Sequence, residues 1–413
     1  MITDPNLLRA HFYAGLPPGL ADLVREVAAE VRARGTPVYL VGGAVRDLAL
    51  GSPALDLDLV VEGSAIALAE QIAARYALPI TRHTTFGTAT LALHGEFAPP
   101  PPAKPALDFV TARREVYPAP GRLPQVEAAD IAADLARRDF TINAMALPVR
   151  EGDLLDPHGG MADLEAGRIR ALHRGSFRDD PTRIFRAARY AARFAFEIEP
   201  GTAVLIVDAL AAGMVALLTP ARLHQELLRT LAEATPAPAL VLLQQLGALA
   251  AVEPALTWDT STRDAFACTA DPALRLALLV YRLPPEARAR IVARLGLDPR
   301  PVAELAALDA VAPQMPDAGP AEAVALLRPV SDRVLDLYRC LASAPVAGVI
   351  ARYREEWQHV RPLLTGDDLR EMGIPPGPRY REILAALLTA RLEGRVSSRE
   401  DEVETVGQFV RSA

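Results

Sequence analysis

Apolar residues Leu20, Leu23, Val24, Val27 and Val31 recur at three- and four-residue spacing, which predicts a helix over residues 19–34, ended by Gly35 and Pro37. The run VYLV (38–41) reads as a short buried strand that Gly42 and Gly43 break. ALDLDLVVEG (54–63) alternates between two faces and predicts a second strand, and residues 64–76 predict a helix. TATLAL (88–93) and ALDFVTARRE (106–115) predict further strands on either side of HGEFAPPPPAKP, whose proline run reads as a stiff surface excursion. From about residue 160 the alternation fades, and helical periodicity punctuated by proline and glycine continues to the C-terminus. A mixed head followed by a long helical region predicts an α+β fold with segregated parts, not a doubly wound sheet.

The 413 residues exceed what one compact core holds and predict two to four domains. No apolar run reaches the roughly 20 residues that span a bilayer. The N-terminus has no basic segment followed by an apolar one, so no secretory signal is expected and the cytoplasm is the expected location. Cys268 and Cys340 are too few and too far apart to predict a disulfide framework or a cysteine metal site. The net charge of −7 argues against a generally basic surface. Lys104 is the only lysine, so arginine abundance is a compositional bias and only arginines clustered on one face carry information.

Three stretches carry candidate chemistry. In LVGGAVRD, Gly42 and Gly43 let a backbone approach a ligand, and Arg46 falls in the first turn of a helix whose N-terminus favours phosphate. Asp47 is placed to orient Arg46 or to cap that turn. Ten residues later, Asp56 and Asp58 share one face of a predicted strand. Two carboxylates so close repel unless a cation lies between them, and an all-oxygen set suits Mg²⁺. In RRDFTIN, Arg137, Arg138 and Asp139 are followed by Asn143, four residues after the aspartate and expected on the same side of a helix. Arginine grips phosphate oxygens in a bidentate manner, while Asp and Asn suit ribose hydroxyls. In DDPTRIFRAARYAARF, Asp180 and Pro181 predict a helix start. Arg183, Arg186, Arg189, Tyr190 and Arg193 then fall within one arc of about 120°. Four arginines without interleaved acids repel one another unless an anion faces them. Each stretch has a plainer reading, as a tight turn, a strand end or a solvated helix face, but their order along one chain outweighs it.

These stretches, with DPHGGMADLEAGRIRAL between the second and third, resemble the ordered motifs of the class II tRNA nucleotidyltransferase/poly(A) polymerase family, bacterial type. The resemblance covers residues 37–196, and LLTGDDLREMGIPPGPRYREIL also resembles the family's C-terminal tail. It implies a nucleotidyltransferase head of mixed sheet and helices at 37–170 after an N-terminal helical extension (1–36). A helical neck (171–235), body (236–350) and tail (351–413) would follow, the last two binding RNA. By the resemblance, Asp56 and Asp58 are the catalytic metal carboxylates for Mg²⁺, and Gly43 and Arg46 contact the triphosphate. Arg138, Asp139 and Asn143 bind ribose and phosphate. Asp180 and Arg183 read the base, and Arg186 and Arg189 contact the nucleotide further. Asp179 stands where the family has glutamate, a departure from its pattern. Asp108 lies where related polymerases carry a third carboxylate, though a partner for Arg113 or Arg114 is an equal reading.

The implied reaction joins C or A, or both, from CTP and ATP to the 3′ end of tRNA. CC-adding-only, A-adding-only and poly(A)-adding activities share the same motifs. An inert RNA-binding protein on this fold conflicts with the intact Asp56 and Asp58. A metal-dependent nucleotide hydrolase is disfavoured because no histidine is followed by aspartate. No segment marks an obligate protein partner.

Overall fold

Asp4 opens the first helix, its carboxylate accepting from the backbone N–H groups of Asn6 and Leu7 at 2.8 and 3.0 Å. This is α1 (Pro5–Ala14); α2 (Pro18–Arg34) follows and ends at Gly35 in the left-handed conformation, φ 70°. The computed structural model describes residues 1–54, 57–101, 103 and 105–411, so Asp56 lies outside the described residues. The chain packs as two compact units, Met1–Pro254 and Ala255–Ala413.

The first unit is built on strands β1 (Val38–Val41), β2 (Leu57–Val61), β3 (Ile80–His83), β4 (Thr88–Ala92) and β5 (Ala106–Thr111). With them stand β6 (Arg113–Val116), β7 (Gln125–Ala128) and β8 (Ala146–Pro148). Six strands form one sheet in the order β3-β4-β5-β2-β1-β8, with β2 and β5 parallel and every other neighbouring pair antiparallel. This is the mixed sheet that the alternating segments predict. The segment 106–115 is not one strand, however. It breaks at Ala112, whose N–H donates to Val61 O while its carbonyl accepts from Ala129 N, both at 2.8 Å. Beyond that point β6 leaves the sheet to pair with β7 in a separate hairpin.

Helices α3 (Gly43–Ala49), α4 (Ala65–Tyr76) and α5 (Ile131–Ala136) connect these strands. On one sheet face Val41, Val60, Ala112 and Ala146 pack with Ile131 and Leu135 of α5. On the other, Leu59 and Phe109 are paired in register and fully buried, and α4 packs on β4 and β5.

Then come α6 (Gly160–Glu165), β9 (Arg168–Ile169), α7 (Ser176–Asp179), α8 (Thr182–Phe194) and β10 (Glu197–Ile198). The unit closes with α9 (Pro200–Ala211), α10 (Pro220–Leu231), α11 (Ala237–Gln245) and α12 (Ala248–Val252). The apolar side of α8, with Ile184, Phe185 and Ala188 fully buried, packs against α10 and α11. The motif around Gly160 explains itself here. A Cβ on Gly160 would lie 2.4 Å from Thr141 O, and the Thr141 hydroxyl donates to Asp163 at 2.7 Å. The glycine thus lets α6 press against the 3₁₀ turn Thr141–Asn143.

The second unit is helical throughout its described residues. Its helices are α13 (Thr260–Ala265), α14 (Pro272–Val280), α15 (Pro285–Leu295), α16 (Pro299–Val311) and α17 (Pro320–Leu327). They continue as α18 (Asp332–Leu341), α19 (Ala344–Glu355), α20 (Gly366–Glu371), α21 (Pro378–Leu392) and α22 (Arg399–Arg411). Leu364, Leu369, Ile383, Leu387 and Val406 form a terminal core. Beside it, the buried Glu402 carboxylate accepts from Leu363 N, Leu364 N and Arg391. No described helix is long and apolar enough to cross a membrane.

Contrary to the expectation from their spacing, Cys268 and Cys340 form a disulfide across 72 residues, bringing the segment after α13 against α18. Pairing was invisible in the sequence because one bridge inside a long chain leaves no framework pattern. In the chain-entropy account, closing a loop of that length removes about 4 kcal/mol of denatured-state freedom. Cys340→Ser, or reduction of the wild type, should therefore lower the unfolding midpoint of the second unit. Denaturant melts with and without reductant check this; superimposable curves would contradict it.

Candidate active site

The turn after β1 is set by Gly42, at φ 64°, which precedes α3. That positive φ is what requires glycine at 42, where a Cβ would also come within 2.4 Å of the Arg138 Nη1 tip, whereas Gly43 simply lines the space. From α3, the buried Arg46 donates through Nε to Asp47 at 2.9 Å and through Nη1 to Asn143 Oδ1 at 2.6 Å. Asn143 is not on a helix with Asp139, as the spacing suggested. The helix α5 stops at Ala136, and Asn143 sits in the 3₁₀ turn Thr141–Asn143. The two side chains still meet, Asn143 Nδ2 donating to Asp139 Oδ1 at 3.0 Å.

Asp139 is the centre of the cluster. Its carboxylate also accepts from Phe140 N at 2.9 Å and pairs with Arg186 at 2.6 Å. Burial pushes its carboxyl up, but the Arg186 guanidinium and the Asn143 amide outweigh this and leave it at about 2. Beside it, fully buried Asp134 takes Arg137 at 2.7 Å and Arg138 at 2.8 Å, and those two cations hold its carboxyl below the usual range against burial. Arg137 also reaches Glu115 of β6 at 2.8 Å, and Glu115 accepts from the Tyr117 hydroxyl at 2.9 Å. Burial and that carboxylate raise the Tyr117 phenol far above its ordinary value, so it stays a donor.

The N-terminus of α8 differs slightly from expectation: Pro181 caps it, and Asp180 precedes the cap while accepting from Thr182 N at 3.0 Å. The Thr182 hydroxyl and Arg222 Nη2 both reach the same oxygen, Asp180 Oδ1, at 2.6 Å. Arg222 of α10 also donates to Gly121 O in the hairpin at 2.7 Å. Arg183 is buried and donates to Ser176 Oγ and to Arg137 O, each at 2.7 Å.

The arginine face of α8 is organised differently from the reading in which only an outside anion relieves its repulsion. Acids distant in sequence supply the compensation: Asp139 for Arg186, Glu226 for Arg189 and Glu233 for Arg193. Glu226 also pairs with Arg229 at 2.7 Å.

A cavity of about 710 Å³ opens among these groups. Gly43, Arg46, Asp58, Arg138, Asp139, Asn143, Asp180, Arg183 and Arg186 all line it. Arg189 stands behind the wall, buried against Glu226. Glu115, Tyr117, Tyr190, Arg193, Arg222 and Arg229 are further lining residues that the motifs did not single out as site residues. Arg222 and Glu226 lie one helical turn apart on α10, a pattern too common to mark a site by itself. Among the described residues, eight arginines and six carboxylates line the cavity, so on a chain of net charge −7 this space is cationic.

Asp58 sits exposed at the start of β2, in parallel register with Asp108 of β5, on the face where Val60 packs with Val110. Asp108 accepts from the Thr90 hydroxyl, while Arg113 pairs with Glu115 and Arg114 with Glu127. The expected alternative of an Asp108–arginine pair is therefore not what the structure has. The donors at this strand end are carboxylate oxygens, which suits a hard divalent cation. Among the described residues no group of three or more His, Cys, Asp or Glu is gathered to hold a metal.

A mixed sheet presenting a carboxylate at the edge of a cationic cavity, followed by helices, is the architecture of a nucleotidyltransferase head. Residues 38–170 match the family described as Poly A polymerase head domain, and residues 195–258 match the probable RNA and SrmB-binding site of polymerase A. An A-adding tRNA nucleotidyltransferase of Halalkalibacterium halodurans is 31% identical over 398 residues, 93% of this chain and 90% of that one. A CC-adding tRNA nucleotidyltransferase of Deinococcus radiodurans is 35% identical over 89% of this chain and 88% of its own. The A-adding enzyme of Geobacter sulfurreducens is 35% identical over 91% of this chain, which spans 46% of its length. A CCA-adding enzyme solved with ATP superimposes with a TM-score of 0.78 at 29% identity, covering 97% of this chain and 98% of that one. The chain belongs to the tRNA nucleotidyltransferase/poly(A) polymerase family.

Asp139 yields a test of the cluster itself. With a folded carboxyl at about 2 against 3.8 ordinarily, its contribution is complete above about pH 4 and is lost as pH falls toward 2. Asp139→Asn leaves Arg186 without its carboxylate and should cost about 3 kcal/mol at neutral pH. The gap from wild type should narrow below pH 4 in denaturant titrations, and a gap independent of pH would contradict the assignment.

Proposed function

We propose that the protein is a template-independent tRNA nucleotidyltransferase that adds C or A, or both, to the tRNA 3′ end in the cytoplasm. The observation that carries this is the cationic cavity in which Arg46, Arg138, Asp139, Asn143, Asp180, Arg183 and Arg186 converge beside Asp58. The tRNA 3′-hydroxyl oxygen bonds to the α-phosphorus of CTP or ATP, the bond to the β-phosphate bridging oxygen breaks, and pyrophosphate leaves. Arg46, Arg138 and Arg186 hold the triphosphate, exchanging part of their contact with the cavity's own carboxylates for phosphate oxygens. Asp139 and Asn143 meet the ribose. Asp58, with Asp56, would hold Mg²⁺, which when bound activates the attacking hydroxyl and neutralises the leaving group. The second unit holds the tRNA by shape and phosphate contacts, as the body and tail of the family imply.

Asp180 and Arg183 read the base in this account. Thr182 and Arg222 fix Asp180 through Oδ1, and Oδ2 accepts from the exocyclic amine of cytosine or adenine. Guanine and uracil oppose a carbonyl to that carboxylate, which leaves two acceptors without a proton and costs about 1–3 kcal/mol.

Relatives named A-adding and CC-adding match over similar spans. The deciding assay extends three tRNA transcripts, ending before CCA, after C and after CC, with each nucleotide separately. Extension of the CC end with ATP alone marks an A-adding enzyme, extension by two C alone a CC-adding one, and all three steps a CCA-adding one. Long adenylate tails on unrelated RNA ends would instead mark a poly(A) polymerase, and no extension of any RNA would sink the proposal. Asp58→Ala should lower extension by at least a hundredfold without loss of folding, since it removes an exposed group. Rates within tenfold of wild type would remove Asp58 from the metal site. Asp180→Ala and Arg183→Ala should incorporate some nucleotide but lose discrimination against UTP and GTP in four-way competition. Unchanged preference would mean that the base is read elsewhere.

A further inference from the structure

We propose that Tyr190 is a positioning residue for the triphosphate grip, its ring being the platform on which Arg46, Arg186, Arg189 and Arg193 are gathered. The inference rests on the nucleotide-site reading above and extends it to a side chain that the motif places on the arginine arc without giving it a role. Tyr190 is 9% exposed, and its ring has the guanidinium carbons of Arg46, Arg186, Arg189 and Arg193 at 5.3, 5.3, 5.7 and 6.0 Å from its centroid. Those four cations come from two helices, α3 and α8, so the ring joins elements that the sequence separates by about 140 residues. Phe194, one turn on, stacks at 6.1 Å and places its own ring 4.7 Å from Arg46. Phe140, beside Asp139, meets Tyr190 edge-on at 6.0 Å and fixes its plane. The Tyr190 hydroxyl accepts from Arg186 Nη2 at 3.0 Å.

A π face attracts cations, and more strongly away from water. The carboxylates and Asn143 tether these guanidiniums at their edges, which fixes position in the plane but not tilt out of it. For Arg46, held at its edge by Asp47 and Asn143, the Tyr190 ring and the Phe194 ring stacked on it supply the walls that limit this tilt. An incoming triphosphate then meets guanidiniums already placed, and little binding energy is lost in ordering them.

The experiment compares Tyr190→Leu, Tyr190→Phe and Arg46→Ala in the full chain, measuring KM for ATP and for CTP, KM for tRNA, and kcat. Tyr190→Leu removes the π face and should raise the KM of the accepted triphosphate about tenfold, with KM for tRNA unchanged. Tyr190→Phe keeps the face and should stay within about threefold of wild type. A purely structural role lowers the active fraction, which moves apparent kcat and leaves KM where it was. Adding Tyr190→Leu to Arg46→Ala should cost much less than on the wild type, because the ring acts through that arginine. The inference is overturned if Tyr190→Leu leaves triphosphate KM unchanged, if tRNA KM rises equally, or if Tyr190→Phe is as impaired as Tyr190→Leu. Arg46→Ala separates the layers: if it leaves triphosphate KM unaltered, the nucleotide-site reading is what has failed. If it raises that KM and Tyr190→Leu does not, the positioning role is what has failed.

Discussion

The carboxylate of Asp139 holds the site together. Through it a continuous chain of hydrogen bonds runs from Arg46 to Asn143, to Asp139, to Arg186 and on to the Tyr190 hydroxyl. Guanidiniums crowded into a half-buried space repel, and leaving one without its partner costs several kcal/mol. Asp134, Glu226 and Glu233 perform the same service for the arginines further along the wall. What results is a cavity that remains cationic yet is stable before any ligand enters, the condition for gripping a triphosphate without first rebuilding the site.

The rest of the first unit serves that arrangement. Two glycines bring backbone where a side chain would collide, Gly42 beneath Arg138 and Gly160 against the turn that carries Asn143. Parallel pairing of β2 with β5, the two central strands, sets Asp58 beside Asp108. Helix α8 buries its apolar side on α10 and α11, which fixes the direction of its arginine side. Because α10 carries Arg222 and Glu226, the packing that stabilises α8 also delivers the partners of Asp180 and Arg189.

Much of this was legible in the residues. Motif positions are local, so the glycine turn, the aspartate pair, the Arg-Arg-Asp segment and the amphipathic α8 all show in short windows. Partners across long separations do not. Nothing in a sequence ties Asp180 to Arg222 or Arg189 to Glu226, and the face of α8 therefore looked more exposed to repulsion than it is. The Asp139–Asn143 contact was right for a reason that was not: a 3₁₀ turn, not a helix, brings the two together. Asp108 has Thr90 as its partner because the register of β4 against β5 decides it, and register is set by the whole sheet. The Cys268–Cys340 bond was missed on the same ground, since two isolated cysteines 72 residues apart meet only through helix packing.

The central claim is that this chain's own carboxylates preorganise the arginines for a triphosphate. It is met most directly by equilibrium titration of ATP and CTP, without tRNA, into wild type and Asp139→Asn. The account predicts about tenfold weaker binding of whichever triphosphate the wild type accepts, with its preference over UTP and GTP kept, because grip is lost and base reading is not. Equal affinity in the two proteins, or a change in base preference alone, would contradict it.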